Sequence, residues 1–387
     1  MHTEQQTLQL NLDGQHVAVA TKPGFPGWDG LDPAHELLAE ACTRIPHAAR
    51  VVIYGAGHGA LALVLARRFA GAQLVLRDLN AVALRMAETN LRQQRVAHAT
   101  VSWASRVDDD LIGWADLVVI ALPQSRPLVR RWLVEAAQLL RVGGVLLLGG
   151  ANDLGIQPAM ADAAALFGQA GQLLNRKRCR VARAVRPETC LSPVWAAEPG
   201  IAAGTWQQVD LPYGDRLVSL ASLPGVFAHD HLDDGTALLL EHMPNPAGLR
   251  VLDIGCGYGP IGICAALAGA AAVDLVDVNL HAVAAASQSI RQLGLANTRA
   301  LAGDLLEPVA DQQYDLILSN PPFHTGKQIN YEVAELFIQH GQPLLRPKGR
   351  MVVVANSFIR YERQIARFFP QTTTLANDGR YHVLMGS

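Results

Sequence analysis

The chain has 387 residues, with 32 Lys and Arg against 34 Asp and Glu and a formal net charge of −2. At roughly 100–200 residues per domain such a length holds two or three domains, and a composition of 50% hydrophobic and 17% charged residues excludes disorder as the main state. There is no uncharged apolar run of about 18 residues to cross a membrane, and the opening MHTEQQTLQLNLDG lacks the basic and apolar regions of a signal peptide, so a cytoplasmic location is expected.

In chain order, the first elements are a lead-in PGFPGWDGLD (23–32) and an apolar run closing on glycines, VVIYGAGHG (51–59). Ala- and Leu-rich helical stretches at 60–70 and 80–94 alternate with LVLRDLN (74–80), ADLVVIALPQ (115–124) and LLRVGGVLLLGGAN (139–152). Short runs rich in Val, Ile and Leu (51–54, 74–76, 117–121, 145–148) read as buried parallel strands. Then comes the sharpest basic stretch, Arg176, Lys177, Arg178 and Arg180, extended by Arg183 and Arg186. It suits either a phosphate backbone or a solvated face. Residues 1–200 carry 20 basic and 17 acidic residues (+3), and residues 201–387 carry 12 and 17 (−5).

The second half repeats the first. PGVFAHDHLD (224–233), VLDIGCGYG (251–259), DLVDVN (274–279), YDLILSNPPF (314–323) and LLRPKGRMVVVANS (344–357) follow in the same order, with helical stretches at 260–269 and 280–293 and strand runs at 251–254, 273–276, 315–319 and 351–355. Strands alternating with helices imply βαβ units, so the expected fold class is α/β: two tandem Rossmann-like domains with doubly wound, mostly parallel sheets. The expected boundaries are 1–185 for a degenerate domain, 186–215 for a linker and 216–387 for the catalytic domain.

The chemistry concentrates in the second copy. The loop Gly255-Cys256-Gly257-Tyr258-Gly259 after Asp253 lets backbone approach a ligand, although dinucleotide enzymes and tight turns share the pattern. Asp277 falls where a carboxylate can accept ribose hydroxyls, and Asp304 either receives an adenine amine or caps a helix. Asn320-Pro321-Pro322-Phe323 is the most specific signal. The Asn oxygen and the Pro321 carbonyl can accept hydrogen bonds from a planar exocyclic amine, aligning its lone pair for in-line transfer, and Phe323 can stack on the ring. No metal and no nucleophilic side chain are needed. The five cysteines form no CxxC pair, and Cys256 and Cys264 read most simply as small buried fillers.

On these motifs, together with Leu223–Phe227, His324 and Val354–Phe358, the sequence resembles class I S-adenosylmethionine-dependent methyltransferases of the NPP[FY] type, and more closely the bacterial ribosomal RNA guanine-N2 methyltransferases with tandem methyltransferase-like domains (the RsmC/RlmG group). The resemblance implies that S-adenosylmethionine is the methyl donor and that Asp253, Gly255, Cys256, Gly257, Asp277, Asp304 and Asn320 line its pocket. It implies that Asn320 to Phe323 hold the guanine amine, and that Phe227 and His324 shape the cleft. The first copy, with Ile53 for Asp253 and Ala121-Leu122-Pro123-Gln124 for Asn320 to Phe323, is expected not to catalyse but to position RNA, aided by Arg176, Lys177, Arg178 and Arg180. Ribosomal RNA or a ribosomal subunit is the expected partner, and a monomer the expected state. The alternatives are a protein glutamine or adenine-N6 methyltransferase, and a non-catalytic RNA-binding assembly factor.

Overall fold

A computed structural model describes residues 5–214, 216–322, 324–325, 328–329, 331–359 and 361–387. The chain divides into two units, Met1–Thr205 and Trp206–Ser387. The segment 186–215 is therefore not a linker. Trp195 and Ile201 are buried in the first unit's core, and residues 207–213 form a strand of the second.

The first unit opens with a hairpin, β1 (Gln6–Leu12) and β2 (Gln15–Thr21), then α1 (Pro33–Cys42). There follow β3 (Arg50–Tyr54), α2 (Ala60–Arg68), β4 (Gln73–Arg77), α3 (Ala81–Gln93), β5 (Ala99–Ser102), β6 (Ala115–Ala121), α4 (Arg126–Leu139), β7 (Leu140–Ala151), α5 (Ile156–Phe167), β8 (Gly171–Arg176) and β9 (Cys179–Val185). The sheet order is β5-β4-β3-β6-β7-β9-β8, parallel through β7 and antiparallel for the last two strands.

The second unit follows the same plan. A hairpin of β10 (Gln207–Tyr213) and β11 (Arg216–Ser222) precedes α6 (Asp234–His242), β12 (Arg250–Ile254), α7 (Pro260–Leu267), β13 (Ala272–Asp277), α8 (Leu280–Gln292), β14 (Thr298–Ala302) and β15 (Tyr314–Ser319). A two-residue ladder, β16 (His324–Thr325) and β17 (Gln328–Ile329), leads to α9 (Tyr331–Gly341), β18 (Leu345–Asn356), α10 (Tyr361–Ile365), β19 (Thr372–Asn377) and β20 (Tyr381–Gly386). Its sheet runs β14-β13-β12-β15-β18-β20-β19.

The strands are apolar runs because both faces are covered. Val251 packs into the core beneath α7 and α8, Leu252 into the opposite core that includes Phe337 of α9, and alternate residues continue the division. Burying each such side chain contributes about 1.5–3 kcal/mol. Strand order reverses between β12 and β15, whose last residues Ile254 and Ser319 are paired. A doubly wound sheet binds its ligands beyond such a switch point. There Gly255 and Asn320 each leave the sheet.

Candidate active site

Gly255, Gly257 and Gly259 have φ of 70°, 56° and 93°, a conformation that a side chain resists. The space beyond Gly257 is open, since a Cβ there would meet only Val226 at 3.9 Å. The loop's amides turn inward. Gly255 and Cys256 donate to the Val276 carbonyl, Gly257 donates to Asp277 Oδ2 at 2.8 Å, and Gly259 donates to the Cys256 carbonyl. An anion cradle needs those N–H groups free. With them engaged, and with Asp233, Asp277 and Asp304 among the carboxylates near the end of the sheet, the loop suits a ligand carrying positive charge better than a pyrophosphate. S-adenosylmethionine has that character, through its sulfonium and ammonium groups.

Asp277 is partly exposed and also accepts from the Asn279 amide at 2.8 Å. Burial pushes its carboxyl above the ordinary range, while the Asn279 and Gly257 amides pull it back. Its remaining lone pairs can take ribose hydroxyls. Asp304 is also partly exposed, beyond β14.

Asp253 departs from expectation. Its side chain is 0% exposed, so it offers a ligand no surface, and its Oδ2 accepts the Gly262 amide of α7 at 2.9 Å. Oδ1 has no hydrogen-bond partner among the described residues. Desolvation pushes the carboxyl up to about 7, with Asp277 adding to the rise and the Gly262 amide opposing it. Asp253 thus braces the glycine loop from behind through α7. Cys256 is buried, contributes backbone, and has its thiol pushed far up by burial.

Asn320 leaves β15 partly exposed, followed by a buried Pro321 and an exposed Pro322. Its Nδ2 donates to Asp233 Oδ2 at 2.9 Å and to Thr236 Oγ1 at 2.8 Å. Both amide hydrogens are thereby used, and no described residue donates to Oδ1 or to the Pro321 carbonyl. Two acceptors therefore lie beside the glycine loop. Sequence reasoning missed Asp233 and Thr236, which meet Asn320 only through the fold. Phe323 lies outside the described residues, as does the side chain of His324.

Phe227 is 62% exposed, in a loop held to the glycine loop by Tyr258 Oη donating to the His231 carbonyl. The basic stretch forms the β8–β9 hairpin rather than a free cationic strip. Arg176 pairs with Glu40 at 2.7 Å, Lys177 with Glu36 at 3.0 Å, and Arg180 donates to Asn152 and Gln172. The side chains of Arg178 and Arg183 are exposed and meet no carboxylate among the described residues.

In the first unit the strand ends behind the glycine loop carry polar side chains instead of aliphatic ones. Tyr54 Oη donates to Glu135 at 2.8 Å, Glu135 pairs with Arg131, and the buried Arg77 guanidinium binds the Ala104 and Arg106 carbonyls. His35 stands where Thr236 does and lies 3.0 Å from the Gly55 carbonyl.

A doubly wound sheet with an inward-bonded glycine loop beside an Asn-Pro-Pro turn defines a methyltransferase. The methyltransferase small domain family matches residues 16–183 and again 218–385. Ribosomal RNA small subunit methyltransferase C of Chromohalobacter salexigens is 36% identical over 68% of this chain and 76% of its own. The same-named protein of Pseudomonas entomophila is 35% identical over 64% and 71%. The solved structure of the T. thermophilus 16S rRNA N2 G1207 methyltransferase, in complex with AdoMet and guanosine, covers 99% of this chain and 98% of its own at 28% identity, with a TM-score of 0.81. The chain belongs to the methyltransferase small domain family, in the group of the ribosomal RNA small subunit methyltransferase C proteins.

Proposed function

We propose that this protein methylates the exocyclic N2 of a guanine in small-subunit ribosomal RNA, with S-adenosylmethionine as donor. The observation that carries the reading is a pair of acceptors to which no described residue donates, Asn320 Oδ1 and the Pro321 carbonyl, beside the glycine loop. Each accepts one hydrogen of the amine, turning the nitrogen lone pair towards the cofactor pocket; positioning of this kind supplies much of the rate in group transfer. The cofactor supplies an electrophilic methyl group. Gly257 gives it room, Asp277 accepts its ribose hydroxyls, and Asp304 lies near its base. The target guanine leaves its helix at a cost of a few kcal/mol, which stacking on Phe323 and Phe227 offsets.

The T. thermophilus relative acts, by its name, on G1207 of 16S rRNA, and the matching guanine is the proposed target here. The first unit, which lacks the Asn-Pro-Pro turn, positions the RNA. The protein works in the cytoplasm as a monomer. No helix among the described residues is long and apolar enough to cross a membrane, and no His, Cys, Asp and Glu cluster there could hold a metal.

The test is methyl transfer from labelled S-adenosylmethionine to separated small and large subunits from cells lacking the gene, intact and deproteinised. Label in the small subunit, recovered as N2-methylguanosine, is the expected result. Label on a protein glutamine or as N6-methyladenosine would move the acceptor. No label and no cofactor binding would leave an assembly factor.

A further inference from the structure

We infer that Asp233 and Thr236, at the start of α6, are positioning residues that set which way the Asn320 amide faces. This rests on the reading of Asn320 Oδ1 as an acceptor of the target amine.

An asparagine amide can sit in two orientations that differ by exchange of oxygen and nitrogen, and only its hydrogen-bond partners choose between them. Here the partners leave no ambiguity. Asp233 Oδ2 lies 2.9 Å from Nδ2, and Thr236 Oγ1 lies 2.8 Å from it. In the reversed orientation the amide oxygen would face a carboxylate, and the NH2 group would face the incoming amine, donor against donor. The partners are themselves fixed. Asp233 caps α6, its Oδ2 accepting the Thr236 amide at 2.9 Å. Thr236 is 4% exposed, so its hydroxyl has little water to turn to. A Cβ on the intervening Gly235 would lie 3.0 Å from the Tyr381 ring and 3.2 Å from Asp233 Oδ2, so a side chain there would press on the aspartate.

The first unit separates the capping role from the positioning role. Asp32, at the place of Asp233, still caps α1, accepting the Ala34 amide at 2.7 Å. The position of Thr236 is taken by His35, which turns to Gly55, and that of Asn320 by Ala121. The aspartate persists where only a cap is needed, while the threonine hydroxyl occurs together with the asparagine it holds.

Methyl transfer to small subunits and S-adenosylmethionine binding would be measured for Thr236→Val, Asp233→Ser, their double variant, Asp233→Asn and Asn320→Ala. Thr236→Val keeps the branched shape without an acceptor reaching Nδ2. Serine keeps the α6 cap and is too short to reach Asn320. Asparagine keeps both cap and acceptor. The expected result is a kcat lowered about tenfold by each of the first two and about a hundredfold by the double variant. The Kd for S-adenosylmethionine should stay within about twofold, and Asp233→Asn should recover most of the lost kcat. Wild-type kcat in Thr236→Val and Asp233→Ser beside an inactive Asn320→Ala overturns this inference and leaves the role of Asn320 standing. An active Asn320→Ala overturns that role itself. If the double variant fails to fold, Thr236→Val alone decides.

Discussion

Gly257 donates its amide to Asp277 at 2.8 Å, and in the first unit Gly57 donates to Asp78 at 3.0 Å. The likeness extends further. Asn279 and Asn80 cap the following helices and donate to the Gly225 and Gly24 carbonyls, both at 2.8 Å, while Asp315 and Asp116 accept the first amides of β12 and β3. Residues shared by the two copies hold the scaffold in each, and what sets the copies apart lies where they differ.

On the proposed function Asp277 also accepts the cofactor's ribose hydroxyls, a second duty that Asp78 does not have. Alanine at either position removes an acceptor of two backbone amides, costing roughly 2–4 kcal/mol of stability. Both variants should show lowered thermal transitions. By titration calorimetry, only Asp277→Ala should lose S-adenosylmethionine affinity, by about a hundredfold, while Asp78→Ala binds as the wild type does.

Asp253 stands where the first unit has Ile53, and both are fully buried. Its folded carboxyl at about 7 lies above the ordinary value of 3.8 because burial disfavours the charge. A carboxyl with a raised folded pKa holds its proton more tightly in the native state, so stability falls as pH rises from about 4 to about 7 and levels off above. The full loss is of order 4 kcal/mol. Unfolding of the ligand-free protein in urea should show Asp253→Asn gaining on the wild type between pH 5 and pH 8. Parallel curves would refute the assignment.

Four central parallel strands in each copy, the duplication and the glycine loop were legible because parallel strands buried on both faces read as continuous apolar runs. The antiparallel pairs β8–β9 and β19–β20 were not, since the edge strands β8 and β19 hold no buried residue and show no continuous apolar run. Nor was the inward turn of the loop amides, which depends on Val276 and Asp277 of the neighbouring strand. Asn320 finds Asp233 across 87 residues and Lys177 finds Glu36 across 141. Such pairings belong to the tertiary fold, and they decide that Asn320 has a fixed orientation and that two of the six cations of the basic stretch face carboxylates.

A buried cation beside its glycine loop sets the first unit apart and disfavours a cationic ligand there. Arg77 sits where the second unit has Val276, is 4% exposed, and holds the Ala104 and Arg106 carbonyls at 3.1 and 2.6 Å. Its guanidinium lies 5.5 Å from the Tyr54 ring, beside the Glu135–Arg131 pair. Calorimetry should therefore find one S-adenosylmethionine per chain, and Asp277→Ala should leave no second site of similar affinity. A stoichiometry of two would show that the first unit retains its pocket.

The basic hairpin divides by charge pairing. Arg176 and Lys177 face Glu40 and Glu36, whereas Arg178 and Arg183 have free guanidinium groups among the described residues. Only an unpaired cation releases counterions on meeting a phosphate. Alanine at Arg178 or Arg183 should weaken RNA binding and lower the slope of log affinity against log salt by about 1 each. Alanine at Arg176 or Lys177 should change that slope little, as read by filter binding across a salt series.

Phe227 and Phe358 are each 62% exposed, and each sits on a loop of the second unit next to a buried aliphatic residue, Val226 or Ile359. The neighbour anchors the loop while the ring stays in solvent. The first unit has Pro26 and Asp153 at the matching positions, so the rings are particular to the second unit. An exposed ring adds little to the core, whereas stacking on an unpaired base is worth about 1–3 kcal/mol. Phe227→Ala and Phe358→Ala should therefore keep wild-type unfolding temperatures and S-adenosylmethionine affinity, while the KM for the small subunit rises about 5–100-fold. Phe227→Trp, which keeps an aromatic face, should restore most of the loss, and a leucine of similar apolar area should not. Equal rescue by leucine would assign the contact to general apolar burial and remove the stacking argument.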